Sequence, residues 1–154
     1  MGRRHLSLVA ALAVGAVLAA PASAGLRWRE LARGAAAGTP PAKLVAVVAL
    51  DRAGAKRLAD RLPAAGRNAL ARLDIGRNVA IAILGEFGCK DHRIAVSSVE
   101  RHGGALVVSL VERPLAPGTM ECLAIYPTYR LLAVAKADLA RPLPTAAEVR
   151  LARA

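Results

Sequence analysis

Aromatic side chains are almost missing from this chain: one Trp, two Tyr and one Phe stand among 154 residues. Proteins that hold single-stranded nucleic acid stack its bases on aromatic platforms, and Trp28, Phe87, Tyr126 and Tyr129 are too few and too scattered to form a row of them. Acids are scarce as well, 11 against 22 Lys and Arg, for a formal net charge of +11. Beyond the first 24 residues the arginines nevertheless stand singly, with no basic run. Such a distribution favours solubility and weak attraction to anionic surfaces over a phosphate-tracking groove. Nucleic acid is therefore not an expected partner.

Chemistry-bearing residues are few. There are two Cys and three His, and neither C-x-x-C nor H-x-x-x-H occurs, so the paired spacing of a structural zinc site is missing. Beyond the N-terminal segment the histidines are His92, in a loop, and His102, at a hairpin tip. Ser97 and Ser98 lie outside any G-x-S-x-G turn, and neither a P-loop nor a dinucleotide fingerprint is present. Asp74, Glu86, Asp91, Glu112 and Glu121 are scattered without a motif that pairs them. The expectation is a protein that is not an enzyme and takes no cofactor or metal.

What the chain does contain begins with its first residues. Arg3, Arg4 and His5 form a positive n-region, 6–20 is an apolar h-region, and Pro21-Ala22-Ser23-Ala24 supplies an A-x-A cleavage site, the three parts of a secretory signal peptide. A membrane-spanning anchor is the alternative; it calls for about 20 predominantly apolar residues and usually lacks a small-residue processing site. The Arg3-Arg4 pair also weakly resembles a twin-arginine export signal. No cysteine near residue 24 could carry a lipid. Segment 1–24 is thus read as a signal peptide and 25–154 as one domain, exported to a periplasmic, extracytoplasmic or extracellular location with no integral membrane segment left after cleavage. Two arginines and no acid leave with the signal, so +11 becomes +9.

Along the remaining chain, 26–33 alternates apolar and charged residues as a half-buried strand, 34–41 reads as a loop, and 44–50 is a continuous apolar run of strand length. Asp51 stands where a side-chain oxygen would cap a following helix. Ala55, Leu58, Ala59 and Leu62 fall on one face of that helix, which Pro63 ends. A membrane-surface role for it is weak, because its apolar face is largely alanine. Residues 68–73 suggest one more helical turn. Segment 79–84 is a third strand. Segments 93–101 and 105–113 form a hairpin around His102-Gly103-Gly104, with Leu106, Val108 and Leu110 on one face. Residues 120–125 and 128–136 read as a strand pair or one bent strand interrupted at Pro127, and 147–153 alternates as a terminal strand. The fold class is α+β: mainly antiparallel β-sheet with one covering helix, in a single small domain.

In a meander through 93–101, 105–113 and 120–125, Cys89 and Cys122 would both lie near strand starts at one end of the sheet. An oxidising destination then favours a disulfide between them. Two alternatives stay open: Cys89, Asp91, His92 and Cys122 as ligands of zinc or copper, and Cys89 as a nucleophile with His92 as its base.

Segment 79–139 resembles the C-terminal domain of the PrcB-like protease-complex subunits. The matching pieces are Leu84-Gly85 at the end of an apolar strand, Ile94-Ala95-Val96, Gly103-Gly104, Leu106-Val107-Val108, Pro117-Gly118, Tyr126-Pro127-Thr128-Tyr129 and the strand at 132–136. Segments 28–34 and 44–62 resemble the usual lead-in. The resemblance implies an exported accessory subunit that associates with a protease and supports its stability, without catalysis of its own. Where the family commonly carries Gly-Gly-Tyr after the Leu-Gly strand, this chain has Gly88-Cys89-Lys90-Asp91-His92-Arg93: if that loop makes the partner contact the partner here differs, and if it is only a turn the cysteine bridge replaces its structural role. The expected function is to bind a secreted or envelope protein, a protease being the class implied. Expected contacts are Phe87, Lys90, Asp91, His92 and Arg93 on one loop, and Pro117, Met120 and Glu121 on the other. A direct protease inhibitor using the same loops, and a metal- or thiol-dependent envelope protein using Cys89, His92 and Cys122, are the rival readings.

Overall fold

The computed structural model describes residues 25–36, 41, 43–87, 92–120, 124 and 126–153. In chain order the elements are β1 (Trp28–Ala35), β2 (Val45–Ala49), α1 (Arg52–Ala59), α2 (Ala64–Ala71), β3 (Asn78–Glu86), β4 (Ile94–His102), β5 (Ala105–Glu112), β6 (Pro127–Ala135) and β7 (Ala146–Arg153). Two sheets form, one ordered β1-β6-β3-β2 and the other β4-β5-β7. Every strand pair is antiparallel except β5 with β7. Among the described residues, no helix is long and apolar enough to cross a membrane.

The central strands explain the layering. β3 and β6 are buried almost throughout, as continuous apolar runs must be when both sheet faces are covered. Because side chains alternate, Val79, Ile81 and Ile83 of β3 with Leu132 and Val134 of β6 point one way, against Val99, Leu106, Val108 and Leu110 of the second sheet. Ala80 and Ala82 with Tyr129, Leu131 and Ala133 point the other way, where Leu58, Leu62, Leu70 and Leu73 come down from the helices. Bulky branched residues therefore fill the space between sheets. Alanine under the helices lets a thin, alanine-rich pair of helices sit close.

Several local expectations are met. The Asp51 carboxylate accepts a hydrogen bond from the Gly54 amide at 2.7 Å and starts α1. The hairpin turns on Gly103-Gly104 with His102 opposite Ala105 and Gly103 at φ +58°, the first central position of a type II′ turn.

Three features differ from the expectation. The helical layer contains two helices, because Pro63, extended at φ −68° and ψ 170°, is also the N-cap of α2. Pro127 does not interrupt a strand; it opens β6, where a missing N–H costs least. The meander is not formed. β5 takes β7 as its second neighbour, in parallel, while β6 joins the other sheet between β1 and β3, where its apolar run, like that of β3, is covered on both faces.

Candidate functional site

Four strand ends meet at one end of the sandwich. β3 ends at Glu86, β4 begins at Ile94, β5 ends at Glu112 and β6 begins at Pro127. Glu86 is the register partner of Pro127, and Ile94 that of Glu112. The two connections carrying the expected contacts, 87–93 and 113–126, therefore leave from the same end.

Polar groups tie this end down from inside. Thr128 and Arg130 share the inward face of β6 with Leu132 and Val134, and both are buried. The Thr128 hydroxyl donates to the Gly85 carbonyl at 3.2 Å and accepts from the Phe87 amide at 3.3 Å. The Arg130 side chain, 1% exposed, donates to the Ile94 carbonyl at 2.6 Å and meets Glu30 at 3.3 Å. Its guanidinium carbon lies 6.0 Å from the centre of the Phe87 ring, within reach of a cation–π attraction. Nearer the surface, Arg93 donates to Glu112 at 2.8 Å and to the Arg113 carbonyl at 3.0 Å, while the Arg113 amide donates back to the Arg93 carbonyl at 2.9 Å. Arg93 and Glu112 are 11% and 14% exposed, so this pair is partly shielded from water.

Above that base the chain is exposed. Ala116-Pro117-Gly118-Thr119 is a turn closed by the Thr119 amide on the Ala116 carbonyl, with Gly118 at φ +80°. Proline at the second position and a left-handed glycine at the third are the type II signature. Met120 follows at 92% exposure, and Tyr126 is 40% exposed.

The expected contact residues separate into three groups. His92, Pro117 and Met120 are exposed. Phe87, 5% exposed, belongs to the core between the sheets, and Arg93 is held by Glu112. Cys89, Lys90, Asp91, Cys122 and Glu121 lie outside the described residues. Sequence reading missed Arg130. Its signal was present: a lone charge inside the apolar stretch from Tyr129 to Ala135, on the alternation that points Leu132 and Val134 inward.

Elsewhere, polar clusters serve the fold. On the outer face of β4, Ser98 donates to Glu100 at 3.1 Å, and the His102 ring lies 3.2 Å from the other carboxylate oxygen. The carboxylate stands between serine and histidine, so this is not the nucleophile–base–orienter order of a catalytic triad. A cleft of about 560 Å³ between the helices is lined by Asp51, Asp74 and Lys136, among others. Their polar groups are already engaged: Asp51 with the Gly54 amide, Asp74 with the Gly76 amide and with Arg77 at 3.6 Å, and the Lys136 ammonium with the Leu50 and Ile75 carbonyls. Among the described residues, no group of three or more His, Cys, Asp or Glu could hold a metal ion. Comparison with protein-family models, curated proteins and solved structures finds no match.

Proposed function

We propose that this chain is an exported, non-catalytic accessory domain that binds a secreted or envelope protein through the loop end of its sandwich, and that the partner is a protease. The observation that carries the reading is the exposure of Met120 and Tyr126 on a connection whose base is held by the buried Arg130 and the partly shielded Arg93. Exposed apolar tips on a rigid support are what a partner contact requires, because little ordering entropy then opposes docking. The resemblance of 79–139 to PrcB-like subunits and the signal-like segment 1–24 favour the same reading.

Cys89 and Cys122 fit it as a disulfide between the two connections. Cys89 follows Glu86 by three residues and Cys122 precedes Pro127 by five, and Glu86 and Pro127 are register partners in adjacent strands. The tethers thus start side by side, which replaces the meander as the reason for the pairing.

Affinity capture from the producing cell's exported fraction should recover a protease, and Met120→Glu should reduce recovery without lowering the melting temperature. Failure to recover any protease, under conditions that retain known complexes, overturns the proposal. Added to the captured protease, an accessory subunit preserves or raises turnover, whereas a direct inhibitor lowers it.

A further inference from the structure

The four sheet edges of this molecule are not alike. β1 carries a bulge between Glu30 and Ala32 and engages its charged Glu30 with Arg130; β2 is only five residues long. β4 is bulged between Val96 and Ser98, and the Leu26 amide covers it at the Val99 carbonyl. Short length, bulges, inward charge and cover are the devices by which natural sheets avoid pairing with another chain. Among the described residues β7 is neither short nor bulged, although β2 of the other sheet lies alongside it and Arg153 falls at its end on the core-side parity. β7 runs eight residues in unbroken register on β5, contains no proline, and turns Ala147, Val149 and Leu151 toward the core side. Leu151 remains 43% exposed there.

We propose that β7 pairs with β7 of a second copy, antiparallel and centred on Val149, joining the two three-stranded sheets into one of six strands. Two requirements select this register. If the apolar faces of both copies are to stay on one side of the joined sheet, residues of like parity must stand opposite each other, so the two-fold axis passes through a residue pair. Centring on Glu148 would then set carboxylate against carboxylate, and centring on Arg150 would set guanidinium against guanidinium. Centring on Val149 places Glu148 of each copy opposite Arg150 of the other, twice by symmetry. It also sets Val149 against Val149 and Leu151 against Ala147 on the core side, where opposite side chains pack. Glu148 and Arg150 lie 3.7 Å apart within one strand at 59% and 63% exposure, so both remain available to a second copy.

The test is sedimentation equilibrium on protein expressed from the full-length sequence, with and without reductant, at about 100 µM and below, where a weak edge-to-edge dimer is populated. The expected species is a dimer that survives reduction. Glu148→Arg should weaken it about tenfold or more, since two opposite-charge pairs become two like-charge pairs, and exchanging the two charges (Glu148→Arg with Arg150→Glu) should restore it. Unchanged thermal melting confirms that the variants fold. A monomeric wild type overturns the proposal, as does a dimer indifferent to Glu148→Arg, or one that the charge exchange fails to restore.

Discussion

Arg130 holds a full charge at 1% exposure between two apolar sheets, a placement that is destabilising unless the guanidinium is well bonded. Its bonds reach Glu30 on β1 and the Ile94 carbonyl at the start of β4. One side chain thereby links three strands across both sheets. Arg130→Ala should lower stability by about 3 kcal/mol, because it leaves a cavity and strips a carboxylate and a carbonyl of their donor; denaturant titration measures it. Arg130→Lys should recover only part of the loss, an ammonium lacking the planar fork that serves two acceptors at once.

One strand position before it, Tyr129 faces the helices. Burial pushes its hydroxyl above the ordinary tyrosine value of 10.0. A raised value in the fold means that the unfolded chain loses this proton first. The stabilising contribution is complete below pH 10 and is lost as pH rises through the folded value. Wild-type stability should accordingly fall on the alkaline side of pH 10, and Tyr129→Phe should flatten that decline in a series of melts against pH.

At the scale of elements, the contact of α2 with the sheet depends on one missing methyl group. A Cβ on Gly66 would lie 2.8 Å from the Tyr129 ring and 3.2 Å from the Leu62 Cβ. Helix propensity favours alanine over glycine by about 1 kcal/mol, whereas overpacking a closed core costs about 1 to 3 kcal/mol. The ring is 1% exposed and has little room to retreat. Gly66→Ala should therefore destabilise the protein despite improving the helix, and Gly66→Ala with Tyr129→Leu should recover stability. Denaturation midpoints of both variants decide it. The periodicity of α1 and its Asp51 cap were legible because both are local. α2 was visible only as a suggested turn at 68–73, since alanine, glycine and a proline cap leave a weak apolar stripe and its burial comes from the strand beneath.

For the whole molecule, the Cys89–Cys122 bridge would join the two connections beyond the base where Arg93 and Arg113 already bond. Closing a loop of 33 residues, 122 minus 89, stabilises a fold by about 3 to 4 kcal/mol in the chain-entropy model. The denatured, non-reduced mass should fall about two units below that of the reduced chain. Two free thiols in the oxidised protein would remove the bridge and reopen chemistry around His92. Added reductant should lower the unfolding midpoint by a margin that grows with this loop term, which a thermal melt reads directly.

The sequence by itself determined β1 to β7, the first helix with its cap, the hairpin turn and the mainly antiparallel β character, while the expected strand at 120–125 falls largely outside the described residues. Each depends on alternation, apolar run length or turn chemistry within about ten residues of chain. Tertiary structure alone decided that β6 leaves the hairpin's sheet, that β7 runs parallel to β5, and that Arg130 lies inside rather than out. Sheet partnership is set by which strand can cover both faces of another, and a buried charge is tolerated only where distant oxygens converge on it. Those conditions link residues as far apart as Glu30 and Arg130, a separation that no local pattern records.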